Sequence, residues 1–315
     1  MYIAISGHDD TQIPYVERYL DEPFVLLDTR DILFGKACSY SIKNGKTVVI
    51  KEAHELRNVR SVWYRRLLLV QGFELPIAEG KRKYAQDAIR NFNRLIFSQF
   101  ADAFWVSDFF AVEKANDKLW QLQIAARLGF HVPGTLITAS AAEAQVFVRN
   151  HKVAIAKPNH AARFEHDGRE HVFYTSRVDS DTDFSGMGMA PAILQEAIEV
   201  KKELRITVVG DTVFAASIQA DTSDYAHHIR DWRVAGADEM SIEVFDLPKR
   251  IRDRCVALVK EMGLQYGAID MIIDPQEKYW FLENNPIGQW FFVEQATKQP
   301  IGKSIARFLE RGRIV

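Results

Sequence analysis

Acidic and amide groups interrupt two apolar runs near the end of the chain, where buried strands ought to carry only apolar side chains. Residues 267–274 read GAIDMIID and residues 279–289 read YWFLENNPIGQ. Asp270 sits inside the first run; Glu283 and Asn285 end the apolar part of the second. Residues two apart in a strand share a face, so Glu283 and Asn285 point the same way. A loop over 274–277, an even count, would pair the runs so that Asp270 joins that face. An odd loop would turn Asp270 away unless a bulge compensated. Two carboxylates and an amide oxygen are hard ligands that suit Mg²⁺ better than Zn²⁺. Carboxylates crowded on a sheet repel and lose hydration unless a cation balances them. An ordinary edge hairpin with polar ends has the same composition, and both readings stand at this level.

Magnesium held by side-chain oxygens usually keeps positions for phosphate, which directs attention to the cations. Lys157 ends the apolar strand VAIAK at 153–157 and precedes Pro158; an ammonium there is costly unless an anion meets it. Lys118 stands in the first turn of a helix, where a cation opposes the dipole. Glu203 and Arg205 share one face of a strand, and Arg230, Asp231 and Arg233 lie in the polar stretch 221–237. Arg65 and Arg66 interrupt VWYRRLLLV at 62–70, either as a solvated strand end or as an anion site. The sequence has neither GxxxxGK[ST] nor GxGxxG, so P-loop and Rossmann readings are unavailable. The nine histidines read as surface or supporting groups.

Three stretches must position these residues. Residues 1–110 are expected to form a small α/β lobe with strands at 2–6, 24–28 and 46–50, the last after the turn Lys43-Asn44-Gly45. A stripe of Ala85, Ala88, Ile89, Phe92, Leu95, Ile96 and Phe100 has helical spacing and reads as core. Residues 111–192 are expected to form a central lobe. It opens with a helix capped by Asn116 or Asp117, with Leu119, Leu122, Ala125, Ala126 and Leu128 inward and Gly129 as its stop. A strand at 132–138, a helix opened by the capping box Ser140-x-x-Glu143 and the Lys157 strand follow. Residues 178–190 lack periodicity and read as a mobile loop. Residues 193–315 are expected to form a C-terminal lobe carrying the metal site. It begins with the strand ILQEAI, continues with a hairpin turning at Gly210-Asp211, and has a helix from Pro248 to Gly263. The opening pair of runs and a last helix near 303–310 complete it.

Composition narrows the class. A chain of 315 residues suits two or three packed lobes. A formal charge of −2 argues against an electrostatic grip on nucleic acid. No apolar run approaches the roughly 20 residues of a membrane span, and the start MYIAISGHDD reads as a first strand rather than a signal peptide. Cys38 and Cys255 have no metal-type spacing and fit reduced thiols in a cytoplasm.

The order of features is more specific than any one of them. Lys118 at a helix start, Lys157-Pro158 at a strand end, Gln195-Glu196-Ala197-Ile198, Glu203-Leu204-Arg205, Asp270 and Glu283-x-Asn285-Pro286 follow one another. From about residue 105 to the end this resembles the ATP-grasp superfamily, with its α/β fold of lobes clasping ATP behind an N-terminal pre-ATP-grasp lobe. The resemblance narrows with Trp63-Tyr64-Arg65-Arg66, HVFYTSRV at 171–178, Lys201-Lys202-Glu203-Leu204-Arg205, Asp231-Trp232-Arg233 and Glu283-Asn284-Asn285-Pro286-x-Gly288-Gln289-Trp290. Together these look like the microviridin-type ligases, the graspetide maturases, which cyclise ribosomal peptides through side-chain esters or amides. The wider superfamily's glycine-rich phosphate loop is missing from 159–171, where Gly168 stands alone.

The resemblance implies an ADP-forming ligase. Lys118 and Lys157 would contact the phosphates of ATP, Gln195, Glu196, Ala197 and the backbone near Ile198 the adenine, and Glu203 the ribose. Asp270, Glu283 and Asn285 would hold a pair of Mg²⁺ ions. A peptide Asp or Glu side chain would be activated as an acyl phosphate, and a Ser or Thr hydroxyl or Lys amine would displace phosphate. Arg205, Arg233 and Lys157 would carry the chemistry, with Arg230 a further cation and Asp231 a candidate base. The partner would be a ribosomal precursor peptide, and the family commonly forms homodimers. The alternative is an ATP-grasp ligase that adds an amino acid such as glutamate to a protein or small molecule. A silent nucleotide- or peptide-binding module is disfavoured, because binding alone has no need of Asp270, Glu283 and Asn285 together.

Overall fold

The computed structural model describes residues 1–67, 75–151, 153–158, 163–166, 169–172, 175–220 and 240–312. The first elements are β1 (Tyr2–Ile5), α1 (Gln12–Glu17), β2 (Phe24–Leu27), β3 (Ser39–Lys43), β4 (Lys46–Lys51), β5 (His54–Glu55), β6 (Ser61–Tyr64), α2 (Glu79–Arg94) and β7 (Phe104–Val106). A parallel sheet runs β2-β1-β6-β7. Every residue of β1 and β6 is buried, as short apolar strands covered on both faces should be. A small antiparallel sheet, β3-β4-β5, lies beside it. The helical stripe differs from expectation. No residue of α2 is fully buried: Ala85, Ile89 and Phe92 are half-buried, Phe100 packs partly buried against the core, and only Ile96, in the 3₁₀ turn Leu95–Ser98, is buried outright. Helical spacing shows that one face is apolar; it does not show that the chain itself covers that face.

The middle of the chain contains α3 (Phe109–Ala115), α4 (Lys118–Arg127), β8 (Thr135–Thr138), α5 (Ala141–Asn150), β9 (Ala154–Pro158), β10 (Arg163–His166), β11 (Arg169–Val172), β12 (Ser176–Val178) and β13 (Ala192–Glu196). An antiparallel central sheet runs β12-β9-β13-β8, and β10 pairs with β11. Strand β13, grouped by sequence with the C-terminal segment, thus belongs to the central sheet: Leu194 lies between Ala156 and Leu136. Asp117 caps α4 by accepting from the Trp120 N–H, and Ser140 caps α5. The buried face of α4 is Gln121, Leu122, Ile124 and Ala125, while Leu119 and Ala126 are exposed. The stretch 178–190 is anchored, because Phe184 and Met187 bury against Val148, Val178 and Leu194.

The last part holds β14 (Lys202–Val209), β15 (Thr212–Ala220), β16 (Met240–Val244), α6 (Lys249–Glu261), β17 (Tyr266–Ile273), β18 (Tyr279–Asn285), α7 (Phe291–Thr297) and α8 (Ile301–Arg311). The largest sheet runs β16-β15-β14-β17-β18, antiparallel throughout. Its alternation decides which face does what. Leu204, Ile206, Val208, Ile269, Met271, Ile273 and Phe281 bury one face in a core shared with α4 and α6. On the other face, Val209, Phe214, Ala216, Tyr266 and Ala268 pack against α7, α8 and the first sheet. Glu203, Arg205, Asp270 and Ile272 share that second face beyond the helices. Half of it is therefore core and half is floor.

Candidate active site

The uncovered half of that face meets the central sheet across a cleft of about 940 Å³, counting the space open to solvent at its mouth. The cleft is lined by Lys157 from β9, Gln195–Ile198 at and beyond the end of β13, Glu203 and Ile218 from β14 and β15, and Asp270, Met271, Ile272, Leu282 and Glu283 from the hairpin. The size and the mostly apolar walls with a few charges suit a small-molecule site. The two sheets meet where His131 pairs with Trp280 at the edge of β18.

Register places the carboxylates. Asp270 lies directly opposite both Arg205 on β14 and Glu283 on β18. The hairpin loop occupies 274–278, not 274–277, because Ile273 pairs with Tyr279. Asp274 closes it, accepting from the main-chain N–H groups of Gln276 and Lys278 and from Trp280 Nε1. That odd loop alone would turn Asp270 away from Glu283. A bulge corrects it: Met271 pairs with Phe281 but Asp270 with Glu283, so Leu282 is the extra residue. Asn285 then pairs with Ala268 on the same face as Asp270.

The bulge also changes which main-chain groups point off the open edge of β18. Before it, Tyr279 and Phe281 bond outward to His131; after it, Asn284 bonds outward to Gln121. Gln121 of α4 meets Asn284, accepting from its N–H at 2.9 Å and donating to its carbonyl at 2.8 Å, and also donates to Ala115 O at 2.6 Å. A glutamine thus stands in for a neighbouring strand between Glu283 and Asn285. Asn284 is fully buried, and Gly267 makes room for it: a Cβ there would sit 2.5 Å from Asn284 Oδ1. Sequence reasoning missed both Gln121 and Gly267. The available signal was a polar residue on the apolar face of α4.

Each acid has a cation. Arg205 Nη1 donates to Asp270 Oδ1 at 2.7 Å, and Lys118 Nζ to Glu283 Oε2 at 2.8 Å. Lys118 opposes its own helix dipole because the carboxylate across the gap compensates it. Arg205 is buried. Burial alone would lower its pKa, but Asp270, with Tyr266 and Glu283 behind it, raises it above the ordinary arginine value. The Tyr266 hydroxyl, pushed up to about 12 chiefly by burial, donates to Gly288 O at 2.7 Å.

The adenine candidates divide. Gln195 is buried and donates to Thr135 Oγ1 at 2.9 Å, which occupies its amide in holding the central sheet. Glu196 accepts from the Gly134 N–H at 3.3 Å. Ala197 and Ile198 line the cleft beyond them, with the Ala197 N–H donating to Val153 O. Asn285 is exposed and accepts from the Ile287 N–H. Arg230, Asp231 and Arg233 lie outside the described residues. Among the described residues no three His, Cys, Asp or Glu side chains converge, since the third oxygen beside Asp270 and Glu283 is the amide of Asn285. Two opposed carboxylates with an amide on the same face still form a hard-oxygen set that fits Mg²⁺.

No family profile matches the chain, and no curated protein does. Solved structures do. A RiPP-associated ATP-grasp ligase of Chryseobacterium gregarium, in complex with ADP and a leader and core peptide, is 29% identical. The match covers 100% of this chain and 99% of that one, with a TM-score of 0.88. Macrocyclase MdnC of Microcystis aeruginosa MRC, bound with precursor peptide MdnA, is 30% identical over 99% of each chain, with a TM-score of 0.84. The ATP-grasp ligase PsnB, complexed with a phosphomimetic variant of its minimal precursor, Mg and ADP, shares the fold. Its TM-score is 0.77 at 19% identity, over 98% of this chain and 97% of that one.

Proposed function

The chain belongs to the microviridin-type ATP-grasp ligases, the graspetide maturases, and from that premise we propose that it closes rings in a ribosomally made precursor peptide. Asp or Glu side chains of that peptide are joined to Ser, Thr or Lys side chains as esters or amides. The observation that carries this reading is the cleft floor, where Asp270 and Glu283 face each other across the ladder with Arg205 and Lys118 upon them.

Lys157, beside Ile193 on the cleft wall, and Lys118 are assigned to the ATP phosphates. Glu203 at the cleft end of β14 takes the ribose. Main chain at Ala197 and Ile198 takes the adenine edge, with Ile218, Met271 and Leu282 supplying apolar contact. Asp270, Glu283 and Asn285 would hold Mg²⁺, as a pair of ions in this reading, which when bound neutralises phosphate charge. A peptide carboxylate oxygen attacks the γ-phosphorus, the bond to the bridging oxygen breaks, and ADP leaves. A hydroxyl oxygen or amine nitrogen then adds to the acyl carbon, phosphate departs, and the nucleophile's proton passes to a base. Arg205, with Arg233 in the same role, stabilises the acyl phosphate or the carboxylate from which it forms. A guanidinium held by fixed partners stabilises such charge without reorganising. The cleft walls limit water, which would otherwise hydrolyse the intermediate.

The division into 1–110, 111–192 and 193–315 is part of this reading, with β13 lent to the central sheet. So is a homodimer, supported by the apolar face of α2, which is only half-buried, and by exposed Ile42, Tyr84 and Leu95; light scattering tests it. No helix among the described residues is long and apolar enough to cross a membrane. The free thiols of Cys38 and Cys255 support a cytoplasmic setting.

The test is to incubate the protein with ATP, Mg²⁺ and a short Thr/Ser/Lys- and Glu/Asp-rich peptide encoded beside it. Mass spectrometry should record loss of one water per ring, and Glu283→Gln should abolish that loss without unfolding the protein. Gain of an amino-acid mass would instead mark an amino-acid-adding ligase. Wild-type turnover by Glu283→Gln would sink the metal assignment.

A further inference from the structure

The turn after β18 is gripped from two directions. From the large sheet, Tyr266 donates to Gly288 O, and Arg205 Nη2 donates to Gln289 O at 3.0 Å. A Cβ on Gly288 would lie 2.6 Å from Ala268 Cβ and 3.0 Å from Arg205 Nη2, so the turn rests against the guanidinium. From the N-terminal segment, Gln12 at the start of α1 donates through Nε2 to Gln289 Oε1, and Arg65 Nη2, at the end of β6, approaches the same oxygen at 3.5 Å. Arg65 leaves the end of β6, and Asp10 follows β1, its neighbour in that sheet. Arg65 Nε lies 3.4 Å from Asp10 Oδ2. Asp10 also accepts from Ser6 Oγ at 2.6 Å and from the Gln12 N–H at 3.0 Å. Arg65, Asp10 and Gln12 are 3%, 7% and 4% exposed, whereas Gln289 is exposed. The holding groups are buried and mutually fixed, and the held residue is at the surface of the turn.

We infer that Gln12, Arg65 and Gln289 are positioning residues for Arg205, setting the direction of its guanidinium through the carbonyl of Gln289. This rests on the reading that Arg205 faces the reacting carboxylate. The guanidinium has a carboxylate anchor, Asp270, and a main-chain anchor, Gln289 O. When Asp270 turns its oxygens to a metal, the carbonyl becomes the anchor that preserves orientation. A carbonyl in an exposed turn is a steady anchor only if the turn is held, and Gln12 of α1 with Arg65 beyond β6 holds it by the Gln289 side chain. Of the paired arginines, Arg65 thereby acquires a use: it is buried against Asp10 and Gln289 rather than a solvated strand end.

The experiment compares Gln289→Ala, which keeps the carbonyl, with Gln12→Leu, their double variant, and Arg205→Lys alone and with Gln289→Ala. Each clamp variant should lower kcat for ring closure by about 10- to 100-fold, the cost of a small misplacement. KM for ATP, Kd for ADP and Tm should stay near wild type. The double clamp variant should be no slower than the slower single, and Gln289→Ala should add little to Arg205→Lys, because all act through one group. Multiplicative losses, or a raised KM for ATP, would overturn the inference, as would full turnover in both clamp variants while Arg205→Lys is impaired. Full turnover by Arg205→Lys would instead remove the reading on which the inference rests.

Discussion

Replacing Gln121 by leucine tests whether an amide on α4 builds the metal-facing end of β18. Gln121 is 1% exposed and serves three main-chain groups: Ala115 O, Asn284 O and the Asn284 N–H. Leucine fills similar space and serves none. A buried polar group left without its partner costs about 1–3 kcal/mol. Some relaxation and the added apolar burial offset part of that, leaving a net loss of about 3 kcal/mol. Against a total stability of about 5–15 kcal/mol that is a large change, readable as a lower denaturation midpoint. The functional consequence is local, because Glu283 and Asn285 flank the released residue. Calorimetric titration with ADP should show the Mg²⁺-dependent part of the affinity falling while metal-free ADP binding holds. Gln121→Glu should be worse than leucine near neutral pH, since it sets a carboxylate against two carbonyls. Burial and those carbonyls raise its folded pKa above the unfolded value, so its deficit should shrink as pH falls through the folded pKa. An unchanged midpoint and unchanged Mg²⁺ dependence in Gln121→Leu would refute the reasoning.

Three further outcomes follow from particular contacts. Lys157→Ala should weaken ADP and ATP binding, measured by titration; an unchanged affinity would remove Lys157 from the phosphate site. Tyr266 has its pKa raised from 10.0 to about 12 by burial. Its contribution is therefore complete below pH 10 and lost as pH rises toward 12, so denaturation curves should fall more steeply over that window in wild type than in Tyr266→Phe. Gly210→Ala should destabilise more than Gly45→Ala: both have positive φ, but a Cβ at 210 would meet Phe308 at 2.5 Å and one at 45 meets nothing within 4 Å. Their shared left-handed strain, about 1–2 kcal/mol, cancels in the comparison of midpoints.

What the sequence made legible was mostly local. Caps at Asp117 and Ser140, the Gly210-Asp211 turn and the helix from Pro248 to Gly263 use short-range chemistry and appear where the residues imply. Alternation likewise put Glu203 and Arg205 on one face of β14 before any partner was known, whereas the register of β17 decides that Asp270 joins them. Long-range choices were illegible. Nothing in ILQEAI states that β13 pairs with β9 and β8, because the decision lies with its hydrogen-bonding neighbours. Nor does periodicity report whether the apolar face of α2 is covered. The bulge at Leu282 is the sharpest case: parity required an even loop or a compensation, and the chain uses the compensation.

That compensation matters for charge as well as direction. Asp270 and Glu283 face each other in a partly buried place, which is unfavourable unless two positive charges join them. Arg205 and Lys118 do so from residues 65 and 165 positions away, so neither pairing was visible in the local sequence. The cations are also those assigned to the phosphate and acyl chemistry. A metal bound by the two carboxylates would relieve both cations of their counter-charges as the phosphates arrive, leaving total charge nearly balanced at each stage. An ion pair placed only for stability gains little from such an exchange; one that must release a lysine toward a nucleotide depends on it. Lys118→Met should then lower ATP affinity, and should also leave Glu283 more repelled by Asp270 when no metal is present. Thermal midpoints should show this variant gaining more from Mg²⁺ alone than wild type does. Equal gains would mean that Lys118 does not compete with the metal for Glu283.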